Sequence, residues 1–156
     1  MTEPRWLSEN EQGAWRGYRR MRALLDLQIA RDLARDSDLS GPDYDVLSTL
    51  SEIPERSWRA TELAARLLWS TSRLAHHIGR MERRGLVSRG NCADDGRGAM
   101  ISLTGAGWAA LQAAAPPHVE SVRRHLIDLL TTAEVQALAD ISAKVIAHID
   151  HLGQPD

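Results

Sequence analysis

Apolar residues recur along this chain at helical spacing, in blocks separated by capping and turn residues. Trp15, Tyr18, Leu25, Ile29 and Leu33 mark a long first helix, opened by the capping box Ser8-x-x-Glu11 and preceded by a loose arm over residues 1–7. Leu39-Ser40-Gly41-Pro42 breaks it, and Ser40 with Pro42 starts a second helix whose inward residues are Tyr44, Leu47 and Leu50. After the loop Ile53-Pro54-Glu55-Arg56, a short helix carries Leu63, Ala64 and Leu67. A tight turn at Trp69-Ser70 leads to another, with Leu74, Ile78 and Met81 as its stripe and Gly85 as its stop. The period then changes. Leu86-Val87 and Met100-Ile101-Ser102-Leu103 are short apolar runs around the turn-rich Asn91–Gly98, which predicts a two-stranded hairpin. Thr104 caps the next helix, with Trp108 and Leu111, which Pro116-Pro117 is expected to kink or break. Val119, Val122, Leu126 and Leu129 continue an apolar stripe. A second capping box, Thr131-x-x-Glu134, opens a final helix striped by Val135, Leu138, Ile141, Val145 and Ile149. The expected fold class is mainly α with one small β-hairpin.

At 156 residues and 43% hydrophobic, the chain can bury one sizeable core, so residues 1–156 are expected to form a single domain. No apolar run approaches the length of a membrane span, and the polar N-terminus with Glu3 and Glu9 is not a secretory signal. A single cysteine excludes an internal disulfide framework and fits a reducing, cytoplasmic setting.

Charge changes the picture more than composition does. The net charge is −2, yet Trp58–Thr104 holds eight arginines against four acids, +4, leaving −6 for the remainder. A near-neutral chain with positive charge gathered in one segment points that segment at a polyanion. At about 100° per residue, Ser72, His76, Gly79, Arg80 and Arg83 lie opposite the Leu74 stripe, with Arg73 beside them and no acid among them. A solvated face is the bland explanation. Against it, a mid-helix glycine costs about 1 kcal/mol relative to alanine, and close approach of DNA to the backbone at Gly79 accounts for it. Two short helices with the second basic and outward make a helix-turn-helix, whose second helix enters the major groove N-terminus first. Ser72, Arg73 and His76 are then candidates for base contact, and Arg80 and Arg83 for phosphates. Ser70, Arg59 and His77 complete the candidate set, with His77 on the flank of the apolar stripe and expected to be half-buried. Arg97, between Gly96 and Gly98 at the hairpin tip, can reach a minor groove.

These residues carry a family resemblance. Glu62-Leu63-Ala64, Ser70-x-Ser72-Arg73-Leu74, Arg80-Met81-Glu82-x-x-Gly85-Leu86-Val87, Asp95-Gly96-Arg97-Gly98 and Leu103-Thr104-x-x-Gly107 together resemble the MarR family of winged helix-turn-helix regulators, over nearly the whole chain. The resemblance implies a winged helix-turn-helix lobe over 40–103, with dimerisation helices over 8–36 and 104–151. It implies a homodimer on a near-palindromic, double-stranded operator, acting as a repressor released by a small molecule or an oxidant. It makes Arg97 the wing arginine and Asp95 the residue that holds the wing loop. His76 stands where many relatives have arginine. The surplus of apolar terminal helix points to the same two-fold dimer.

Other constellations are weaker. No nucleophile elbow, paired-carboxylate motif or metalloprotease signature is present, so no enzyme activity, catalytic residue or cofactor is expected. His148-x-x-His151 has helical ligand spacing, with His118 and His125 upstream. No cysteine or matched second pair completes a metal site, and histidines near a helix C-terminus are favoured there as cations. Cys92 offers a redox-responsive alternative, with Arg89 and Arg97 near in sequence but Asp94 and Asp95 as well. Trp15, Arg16, Tyr18 and Arg19 suit an aromatic carboxylate effector, or else Trp15 and Tyr18 are core and the arginines solvated. A protein-interaction module that turns the basic helix on an acidic partner is the remaining alternative.

Overall fold

The computed structural model describes residues 3–92 and 98–152. Six α-helices and three strands follow one another as α1 (Glu9–Asp36), α2 (Gly41–Ser51), β1 (Ser57–Arg59), α3 (Ala60–Arg66), α4 (Thr71–Arg83), β2 (Val87–Asn91), β3 (Ala99–Leu103), α5 (Gly105–His125) and α6 (Thr132–Leu152), with a 3-10 turn at Ile127–Leu129. The fold is mainly helical with a small antiparallel sheet, in keeping with a winged helix-turn-helix.

Local capping sets most helix starts. Glu11 accepts from the Ser8 backbone N–H at 2.8 Å, and Glu134 accepts from that of Thr131 at 2.7 Å, so both boxes close as read. At α2 the box is Ser40 with Asp43, each side chain bonding the other's backbone N–H. Leu68 (φ 56°) and Gly85 (φ 74°) take the left-handed conformation that ends α3 and α4.

The chain forms two compact units. One comprises residues 26–118, and the other 1–25 with 119–156. The boundaries fall inside α1 and α5, so the first unit extends beyond 40–103 at both ends. Its core gathers Leu33, Val46, Leu47, Leu50, Leu63, Leu74, Ile78, Met81, Ile101 and Leu111, all buried. Leu74, Ile78 and Met81 are the predicted stripe of α4.

The sheet differs from the expected hairpin. Its order is β1-β3-β2, with Trp58 opposite Ile101 and Arg89 opposite Ile101 on the other side. Ser57-Trp58-Arg59 is too short to show a period-2 pattern, and only its partner β3 makes it a strand. The Ser57 and Ser102 hydroxyls meet across that pair at 2.8 Å. Helix α5 runs on through Pro116 and Pro117, so the expected break does not occur there. The prolines follow three alanines, the strongest helix formers, and buried Leu111 and Ala114 anchor the preceding turns in the core.

In the second unit, by contrast, no described residue of α6 is buried. Ile141, Val145, Ile146, Ile149 and Leu152 are each at least half exposed.

Candidate nucleic-acid interface

Helix α4 is held at its start by Ser70, whose Oγ accepts the Arg73 backbone N–H at 3.1 Å. Ser70 thus has a structural role besides its candidate one. Burial of Leu74, Ile78 and Met81 turns Ser72, Arg73, His76, Arg80 and Arg83 outward, all exposed. A Cβ on Gly79 would meet nothing within 4 Å, so the packing of this chain does not call for the glycine. Arg59 is half-buried at the junction of β1 and α3. Arg97 and Asp95, expected to form the hairpin tip and its support, lie outside the described residues.

His77 departs from the expected set. It is 6% exposed, not half-buried, and faces inward. Its Nε2 lies 2.9 Å from Oδ1 of Asp43, and its Nδ1 lies 2.7 Å from an Arg80 guanidinium nitrogen. It belongs to the support of the exposed face. Helical spacing placed it at the stripe's edge but could not show the acid waiting on α2. Burial, against the pull of Asp43, holds the His77 pKa below the ordinary histidine value. Asp43 is buried too. Burial pushes its carboxyl up, but the Arg84 hydrogen bond at 2.6 Å and the Ser40 N–H outweigh this and hold it below the usual range. Asp43 therefore joins the cap of α2 to both His77 and Arg84, a hub that sequence reasoning missed. Its signal was the Ser40-x-x-Asp43 spacing.

Trp69, in the turn before α4, completes the support. The Arg73 guanidinium carbon sits 4.2 Å from its ring centroid, and His77 meets the same ring edge-on at 5.4 Å. Below the helix, Thr104 Oγ1 donates toward the carbonyls of Gly85 and Leu86 and accepts the Gly107 N–H, which ties α5 to the end of α4. Arg89 on β2 reaches the Ala75 carbonyl at 3.3 Å.

The other candidates are placed as follows. Trp15 and Tyr18 stack at 5.9 Å on the outside of α1, about half exposed, with Arg19 and Arg22 over their rings. They are not core within the single chain. Arg16 bonds Gln12. Cys92 is buried, at 4% exposure. His118 packs on Tyr44 with ring centroids 4.2 Å apart, while His148 and His151 stand exposed on α6. Among the described residues no group of three His, Cys, Asp or Glu is placed to hold a metal, and no helix is long and apolar enough to cross a membrane.

The MarR family sequence model matches residues 37–98, which include α2 to β2. Among solved structures, AbsC, a MarR family transcriptional regulator from Streptomyces coelicolor, is 39% identical at a TM-score of 0.89, covering 95% of this chain and 99% of its own. Sco3205, a MarR family transcriptional regulator from the same organism solved in complex with DNA, is 37% identical at a TM-score of 0.90, covering 100% and 95%. MepR of S. aureus, also solved with DNA, shares the fold at 17% identity and a TM-score of 0.75, covering 92% and 99%. No curated protein sequence matches the chain. With a helix-turn-helix, an antiparallel sheet behind it and relatives this similar over their full length, the chain belongs to the MarR family of transcriptional regulators.

Proposed function

We propose that this chain is a homodimeric regulator that binds a near-palindromic duplex operator through α4, with the hairpin tip at Arg97 beside each half-site. The observation that carries the reading is the exposed face of α4. Five polar or basic side chains stand on it without an acid, around a glycine that internal packing does not require. Arg59, Ser70, Ser72, Arg73, His76, Arg80, Arg83 and Arg97 are the proposed contacts, with Asp95 restraining the loop. Ser72, Arg73 and His76, nearest the N-terminus of α4, face base edges, and Arg80 and Arg83 face phosphates. The Sco3205 relative in complex with DNA supports the same reading. The uncovered stripe of α6 supports the dimer. We assign a repressor role, relieved when a small aromatic acid engages Trp15, Arg16, Tyr18 and Arg19. Exposed rings with guanidinium groups over them suit such a ligand.

The test is selection of bound duplexes from a fragmented genome, followed by gel shift on the enriched sequence and a screen of aromatic acids for release. Enrichment of one inverted repeat supports the reading. A protein that retains no duplex above background, but captures acidic proteins through α4, is an interaction module instead.

A further inference from the structure

We propose that His77 is a positioning residue for operator recognition, fixing the Arg80 guanidinium before DNA arrives. The inference rests on the DNA-binding reading of α4 and adds a residue that does not touch DNA. A guanidinium can only donate hydrogen bonds. The 2.7 Å contact between Arg80 and His77 Nδ1 therefore makes Nδ1 the acceptor. The imidazole is then neutral, with its proton on Nε2, where Asp43 Oδ1 lies 2.9 Å away. Asp43 is itself fixed by the Ser40 N–H and by Arg84. A chain of close contacts runs from the cap of α2, through a buried ring whose Nε2 lies beside Asp43 without being aligned on it as a hydrogen bond, to an arginine on the exposed face. Trp69 braces the array by meeting His77 edge-on while holding Arg73 on its face. An arginine held in one place loses less rotamer freedom on binding than a free one. Arg80 is exposed, and its guanidinium is in contact with the buried His77 ring.

The test is a double-mutant cycle on the selected operator, using full-length protein, with His77→Leu, Arg80→Ala and their combination. Melting temperature and oligomeric state are followed in parallel. His77→Leu is expected to weaken binding about five- to tenfold, at the low end of what a lost arginine contact costs. In the Arg80→Ala background the same substitution should change affinity little. His77→Gln, with an amide oxygen for Arg80 and an amide N–H for Asp43, should recover most of the loss. Equal losses in both backgrounds, wild-type affinity in His77→Leu, or an Arg80→Ala that binds as wild type would each overturn the proposal while leaving DNA binding by α4 intact. A wild-type protein that binds no duplex overturns the DNA reading and this proposal with it. If His77→Leu does not fold, nitrogen NMR of the free wild-type protein decides. A neutral ring protonated at Nε2 supports the assignment, and a proton on Nδ1 at neutral pH overturns it.

Discussion

Gly107, in the first turn of α5, backs directly onto the carbonyl oxygen of Leu86, and a Cβ there would collide with that backbone atom and with the Leu103 side chain. The Thr104 hydroxyl draws the two segments together by bonding the Leu86 carbonyl at 3.0 Å and the Gly107 N–H at 3.0 Å. Gly107→Ala should therefore destabilise the protein by about 1–3 kcal/mol, the usual cost of overpacking, because a backbone carbonyl cannot swing aside as a side chain can. Chemical denaturation checks it. A midpoint equal to wild type would show that the junction relaxes.

Gly79 makes the opposite case. Its missing Cβ faces open space, so Gly79→Ala should stabilise the fold by about 1 kcal/mol through helix propensity alone. If DNA approaches the backbone there, the same substitution weakens operator binding. Thermal melting and gel shift on one preparation read both effects. A variant that is stabilised and binds as wild type would remove Gly79 from the interface.

Stability should fall on mild acidification. Burial lowers the pKa of both His77 and His118, opposed by Asp43 and Asp45 respectively. Above the unfolded histidine value of about 6.5 both states are neutral and neither group contributes. Below it the unfolded chain takes up protons that the folded chain resists, so stability is lost as pH falls toward the folded values. Asp43, held below the usual carboxylate range, adds a further loss at lower pH still. Denaturation midpoints between pH 7.5 and 5 should decline in wild type and decline less in His118→Gln. A flat wild-type profile would refute the assignment.

The exposed stripe of α6 predicts that the protein is dimeric. Ile149 and Val145 are each at least half exposed in the single chain. An aspartate at either position would be harmless to a monomer but would bury a charge in a dimer. Light scattering should report a dimer for wild type and a concentration-dependent shift toward monomer for Ile149→Asp. Monomeric wild type at micromolar concentration would exclude the dimer.

Sequence alone determined what depends on neighbours a few residues away. The boxes at Ser8–Glu11 and Thr131–Glu134 close within one turn, so their residue types suffice. The Leu74, Ile78 and Met81 stripe fixed which face of α4 is buried, and therefore which arginines are exposed, since helical geometry needs no partner to be read. The family was legible because its motifs lie in order along the chain. Tertiary structure decided whatever depends on a group from another element. Ser57–Arg59 is a strand only because β3 lies beside it. Helix α5 passes Pro116 and Pro117 because buried Leu111 and Ala114 hold its preceding turns. His77 turns inward because Asp43, capping a helix earlier in the chain, stands 2.9 Å from its ring. Helical spacing placed His77 at the edge of the stripe. Only the packing of α2 against α4 could decide that it supports Arg80 from within.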